Sequence, residues 1–154
     1  MADVITAFLY ADEGDTSTAP MAAAIANHFA KERGLDCVFH SAGIYALEGL
    51  DMDPFAVRAL KETYNIDMPK RKSVALTPEL HRAHGLHRTM DKRLNAFYND
   101  RALRWPSDGC FTIAKPCGKD YKAYVAVAEY LYTNVSNQID RLVKEGRILA
   151  KDGK

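Results

Sequence analysis

Cysteine is scarce: Cys37, Cys110 and Cys117 are the three in 154 residues. The number is odd, no Cys-x-x-Cys occurs, and the spacings match no metal-ligand pattern. That sets aside a disulfide framework and a structural zinc site. Such usage fits a reducing compartment, so a cytoplasmic protein is expected. An excess of one charge is also missing: 21 Lys and Arg stand against 20 Asp and Glu, a formal net charge of +1. Nothing in that balance argues for a nucleic-acid partner or an anionic membrane. Basic residues gather at Lys70-Arg71-Lys72 and again over 141–147, but acidic residues lie close to both, so both read as solvated surface. Long apolar runs are absent as well. The run at residues 4–11 falls far short of the ~20 residues a membrane helix needs, and the Met-Ala-Asp before it is no basic leader. No membrane anchor, repeat, linker or low-complexity segment is expected.

What is present suits one domain over residues 1–154, with 47% hydrophobic residues to fill one core. Residues 4–11 are apolar, partly β-branched and aromatic, and predict a strand buried on both faces. A polar loop follows. Pro20 suits a first helical turn with Ser17 or Thr18 as cap, and Met21, Ile25 and Phe29 carry the helix to about Arg33 before Gly34. Residues 37–41 predict a second strand. Asp53-Pro54 and Thr77-Pro78 open two further helices. Residues 85–90 predict a third strand. Asp91 caps a helix with Leu94 and Phe97 inside, and residues 102–105 predict a fourth strand. Tyr124, Ala128, Leu131, Val135, Ile139 and Leu142 recur at helical spacing, so a long amphipathic helix spans about 120–144. The tail 145–154 is expected to fray.

Strands alternating with helices imply an α/β fold, a small doubly wound sheet of about four parallel strands flanked by helices. Ligands bind such sheets outside the carboxyl ends of the strands. The end of the first strand is the loop Asp12, Glu13, Gly14, Asp15, Thr16, Ser17 and Thr18.

That loop, followed by Ala19-Pro20-Met21-Ala22, resembles the start of the low-molecular-weight protein tyrosine phosphatases and the related thioredoxin-coupled arsenate reductases. Their pattern is a strand, then Cys-x5-Arg-Ser-Pro-Met-Ala, then a helix. Further resemblances follow in order: Ser41-Ala42-Gly43, Asp53-Pro54, Leu76-Thr77-Pro78-Glu79-Leu80, Thr89-Met90-Asp91, and Ile113-Ala114-Lys115-Pro116-Cys117-Gly118. The resemblance covers about residues 4–143 and implies the family fold, with Ser41 supporting the loop by a hydrogen bond to Asp15.

The departures fall where that family's chemistry sits. Counting back from Pro20, the nucleophilic cysteine maps to Asp12 and the phosphate-binding arginine to Thr18. The general-acid aspartate maps to Lys115, and its neighbouring tyrosine to Cys117. A thiolate at a helix N-terminus is activated by the dipole and backbone N–H groups, and an arginine holds phosphate bidentately. Neither group is present. A phosphate about 5 Å from one carboxylate meets roughly 3 kcal/mol of repulsion at an effective dielectric near 20. With Asp12, Glu13 and Asp15 in the loop, the pocket reads as rejecting phosphate.

The resemblance therefore implies an inactive phosphatase-like protein, with no catalytic residues expected and no cofactor. Its partner would be a protein or small ligand in the former active-site pocket. The alternative is a repurposed pocket, either holding a divalent cation through Asp12, Asp15 and Thr16 or accepting a phosphoryl group on Asp12. Residual phosphotyrosine hydrolysis is the reading with least support, because Lys115 is a poor general acid near neutrality. An Asp12–Lys115 ion pair closing the pocket is the plainest role for those two. His81, His84 and His87 are expected on the surface rather than on a metal, and His28 and His40 are expected to be structural or exposed. Tyr121, Tyr124, Tyr130 and Tyr132 are expected to pack along the last helix.

Overall fold

The computed structural model describes residues 3–94 and 107–152. Four strands form one parallel sheet in the order β2-β1-β3-β4, with β1 at Ala7–Asp12, β2 at Val38–Gly43, β3 at Leu86–Thr89 and β4 at Ser107–Cys110. The fourth strand expected at residues 102–105 lies outside the described residues, as does Phe97. Asp91 Oδ1 accepts from Leu94 N at 2.7 Å.

Phe8, Leu9, Tyr10 and Ala11 are fully buried, as a run apolar on both faces requires. The sheet is flanked by α1 (Thr18–Glu32), α2 (Pro54–Tyr64), the short α3 (Pro78–Arg82) and α4 (Tyr121–Lys144). Each helix begins where sequence chemistry places a start. Asp53, Thr77 and Asp120 cap α2, α3 and α4 through their side-chain oxygens. Along α4, Tyr124, Ala128, Leu131, Val135, Ile139 and Leu142 are all buried, and the helix packs on α1 and α2. Of the other tyrosines expected on that helix, Tyr121, Tyr130 and Tyr132 are half-buried and pack at the edge of the core. A polar chain ties the same helix to the sheet. Tyr10 Oη donates to Gln138 Oε1 at 2.9 Å, Gln138 Nε2 donates to Asp108 Oδ2 at 3.0 Å, and Arg141 Nη2 donates to Asp108 Oδ1 at 2.6 Å.

The tail does not fray over its described part. Ile148 is 1% exposed, Ile5 N donates to Arg147 O, and Asp36 N donates to Leu149 O. One buried isoleucine and backbone pairing to Ile5, ahead of β1, and to Asp36, in the α1–β2 connection, hold a segment whose pattern is too short to signal this.

β1 is central, and its chain neighbours in the sheet lie on opposite sides: β2 on one and β3 on the other. The crevice outside its carboxyl end is the topological switch point of the sheet. The loop 12–18 opens there.

Candidate functional site

Asp12 ends β1, and its carboxylate turns back under the loop. Oδ1 accepts from Asp15 N at 2.7 Å; Oδ2 accepts from Thr18 Oγ1 at 2.9 Å and Ala19 N at 2.9 Å. Asp12 is thus the side-chain cap of α1. Ser17 occupies the N-cap position but makes no capping bond, and Thr18 spends its hydroxyl on Asp12. A carboxylate suits this end of a helix, where orphan N–H groups and the dipole favour negative charge. Burial nevertheless raises the Asp12 carboxyl to about 6, and the charge of Asp15 adds to the rise; the three hydrogen bonds oppose it.

Asp15 adopts a left-handed backbone (φ 56°) and is fully buried. Aspartate tolerates that region better than most residues. Its carboxylate accepts from Ser41 Oγ at 2.5 Å, from Val74 N at 2.8 Å, and from both terminal nitrogens of Arg71 at 2.9 Å. Arg71, read above as solvated surface, instead reaches into the core of the loop. The end of β2 completes the support. Ile44 N and Tyr45 N donate to Asp12 O and Glu13 O, and a Cβ on Gly43 would lie 2.6 Å from Glu13 O. Only glycine permits that approach.

Lys115 does not pair with Asp12. Its Nζ meets Glu13, which also pairs with Arg93. The reason is direction: the Asp12 oxygens face the helix end, while Glu13 lies nearer the surface. These pairs also correct the expected repulsion. Glu13 and Asp15 each have a cationic partner, whereas Asp12 takes its three bonds from neutral donors. The proposed cation set does not converge either, since Asp15 spends both oxygens on Ser41, Val74 and Arg71 behind the loop. Among the described residues no group of three His, Cys, Asp or Glu is placed to hold a metal.

A cleft of about 340 Å³ opens above the loop. Its floor is Asp12, Gly14, Thr16, Ser17 and Thr18, and its walls include Tyr45, Met90, Ile113, Lys115 and Cys117. Beside it, Asp53 Oδ2 accepts from Tyr124 Oη at 2.6 Å and Ser17 Oγ at 3.2 Å, so the α2 cap also ties α4 to the loop.

The fold and this crevice can be set beside known proteins. The low-molecular-weight protein tyrosine phosphatase from T. tengcongensis matches with a TM-score of 0.78 at 27% identity, over 88% of this chain and 99% of that one. A YwlE mutant from Bacillus subtilis matches at 0.80 and 25% identity, over 88% and 97%. The chain has the fold of the low-molecular-weight protein tyrosine phosphatases and is similar to them over nearly their whole length. A further member of similar structure is a YwlE arginine phosphatase with a phosphorylated active-site serine, at 0.81 and 25% identity over 90% of this chain and 96% of that one. No protein-family model and no curated protein matches the sequence. His81, His84 and His87 are buried, not on the surface, with His84 Nδ1 2.6 Å from Leu80 O and His87 Nε2 3.2 Å from His81 O. His40 Nδ1 and His84 Nε2 lie 2.8 Å apart, and the rings of His81 and His87 are 4.4 Å apart. Among the described residues no helix is long and apolar enough to cross a membrane.

Proposed function

We propose that this chain keeps the phosphatase fold but not its phosphoryl-transfer chemistry, and that it uses the cleft as a non-catalytic binding pocket with a binding or regulatory role. The observation that carries the proposal is the placement of Asp12. At the family's nucleophile position, its carboxylate accepts from Ala19 N, Asp15 N and Thr18 Oγ1. A phosphoryl group needs free donors at this helix end. Here Asp12 takes the Asp15 and Ala19 amides, Met21 N is bonded to Ser17 O, and Pro20 has no N–H, so none of these four positions gives an amide to a phosphate.

The other two roles fail on the same geometry. Thr18, at the clamp position, cannot hold a phosphate bidentately, and its hydroxyl is engaged. Lys115, at the general-acid position, is an ammonium paired with Glu13. Without thiol, clamp and acid, the thiol-phosphate route of those phosphatases is closed, and the one carboxylate that could take a phosphoryl group, Asp12, is buried and spends its oxygens on three hydrogen bonds.

The test has two arms. Wild-type protein is assayed for aryl phosphate hydrolysis and for tungstate binding, and both are expected to be absent. The triple variant Asp12→Cys, Thr18→Arg, Lys115→Asp is expected to gain hydrolysis. Turnover by the wild type would overturn the proposal; a folded but inert triple variant would overturn the assignment of these three positions.

A further inference from the structure

A second cavity, of about 420 Å³, lies behind the loop and shares no lining residue with the cleft. It runs along the outer edge of β2, between α1 and the segment 68–74. Val38 N and Ile44 N, at either end of β2, donate inward to Thr6 O and Asp12 O. Backbone direction alternates along a strand, so Phe39, Ser41 and Gly43 turn their N–H and C=O groups away from β1. Two of these three residues are closed off. The Asn27 side chain accepts from Phe39 N at 3.0 Å and donates to Phe39 O at 2.8 Å. Gly43 N donates to Val74 O at 2.9 Å, and Gly43 O accepts from Leu76 N at 3.0 Å.

Ser41 lies between them. Its carbonyl accepts from Arg71 Nη2 at 3.5 Å. Its N–H has no acceptor among the described residues, although Ser41 is 5% exposed. Buried amides without a partner are rare, because each bears the full cost of its lost hydration. Asn27 and Val74, which flank Ser41 on this edge, both line the cavity, as Ser41 does. The unpaired N–H therefore opens into it. Arg71 adds a second donor to the same lining. Its terminal nitrogens are spent on Asp15, Ser41 and Lys72 O, while its Nε makes no hydrogen bond among the described residues. The remaining walls are apolar: Ala23 and Ala24 of α1 on one side, with Phe39, Met52, Met68 and Leu80 around them. The two methionines are flexible enough to fit an irregular guest.

We propose that this cavity binds a small, uncharged, apolar molecule through a carbonyl oxygen (an amide, ester or ketone) that accepts from Ser41 N. A carbonyl has a second lone pair for the Arg71 Nε–H. Charge selects this class. An anion finds Arg71 already neutralised by the buried Asp15, and an ammonium or guanidinium offers no acceptor to the two donors. A peptide strand needs several successive open residues at a sheet edge, and this edge offers one. The volume lies in the range of small-molecule sites. Ser41 and Arg71 also hold Asp15 beneath the loop. A molecule bound here touches the supports of the loop without entering the cleft, and its binding does not depend on what the cleft does.

Amide NMR of the whole chain, titrated with three probes, tests this. N-cyclohexylacetamide has both ring and carbonyl, methylcyclohexane has no acceptor, and cyclohexylacetate is an anion. N-cyclohexylacetamide is expected to bind saturably and to move the Ser41 amide proton downfield. Methylcyclohexane is expected to bind about tenfold more weakly, for want of one hydrogen bond, and to leave that proton in place. Cyclohexylacetate is expected to bind more weakly than the amide. Ala24→Leu adds bulk from α1 and Met68→Phe adds it from the segment 68–74; each is expected to abolish binding, and either suffices if the other fails to fold. No saturable shift at Ser41 with N-cyclohexylacetamide would overturn the proposal. Equal affinity for methylcyclohexane would overturn the role of the Ser41 amide, and tighter binding of cyclohexylacetate would overturn the uncharged class. Unchanged affinity in a folded Ala24→Leu or Met68→Phe variant would overturn the location.

Discussion

Arg71 and Asp15 form a two-pronged ion pair across 56 positions of the chain, with Nη1 to Oδ2 and Nη2 to Oδ1 both at 2.9 Å. Asp15 is fully buried beneath the loop, and Arg71 is about one-third exposed. The pair therefore fixes the loop from below rather than decorating the surface.

Removing the cation leaves a buried carboxylate unpaired. Arg71→Ala is expected to lower the unfolding free energy by about 3 kcal/mol, at the low end for a buried pair because the guanidinium is partly solvated. Arg71→Lys restores the charge but not the fork, and is expected to recover less than half of the loss. Urea denaturation of both variants, with Asp15→Asn to close the cycle, checks this. An Arg71→Ala cost below about 0.5 kcal/mol, typical of exposed pairs, would refute it.

Asp12 predicts a stability profile that declines with rising pH. Burial raises its carboxyl from 3.8 to about 6. Between those values the folded state holds a proton that the unfolded chain has released, so stability falls as pH rises and the full penalty is present above about 6. At 1.36 kcal/mol per unit the span is about 3 kcal/mol. Asp12→Asn cannot ionise. Its stability relative to wild type is expected to rise by about that amount from pH 4 to pH 7, on top of a constant offset for the one hydrogen bond the amide cannot accept. A difference that stays flat over that range would contradict the assignment.

His81 predicts the opposite slope. Burial foremost, then His87, His84 and Arg82, lower its pKa from 6.5 to about 3. The folded state refuses a proton that the unfolded chain binds below 6.5, so stability is lost as pH falls from there toward 3. His81→Phe keeps an aromatic ring against His87 and removes the titration. Circular dichroism in an acid titration is expected to show the variant unfolding at lower pH than wild type.

The docked tail gives a packing prediction. Ile148→Ala is expected to destabilise the protein by about 3 kcal/mol, the usual range for emptying a fully buried isoleucine site. It is also expected to speed amide exchange at Ile5 and Asp36, whose N–H groups bond to the backbone on either side of it. Protection unchanged at those two amides would show that the tail holds nothing.

Much of this was legible in the sequence, for physical reasons that particular residues show. The apolar run that became β1 and the spacing along α4 are local patterns, and Asp53, Thr77, Asp91 and Asp120 announce caps within three residues of the N–H they serve. The place of the loop followed from strand order, and Ser41 with Asp15 followed from the resemblance. Arg71 was missed because its partner is distant in sequence and its neighbours are lysines. The Asp12 cap was missed because a helix cap normally comes from the residue at the helix end, and here it comes from the end of the preceding strand. The three histidines were misplaced because a polar pattern over 81–87 does not reveal that it spans a five-residue helix, a turn and a buried strand, each of which places one ring inside.

The capping bonds of Asp12 also bear on how this sequence can change. A cysteine at position 12 would offer a single weak acceptor where the carboxylate now serves Asp15 N, Thr18 Oγ1 and Ala19 N. The first step back toward a thiol nucleophile therefore loosens the start of α1 before any activity is regained. On the non-catalytic reading proposed above, position 12 works as a ratchet: the residue in the nucleophile's place is also built into the scaffold, and a simultaneous change at Thr18 or elsewhere in the loop is what would release it.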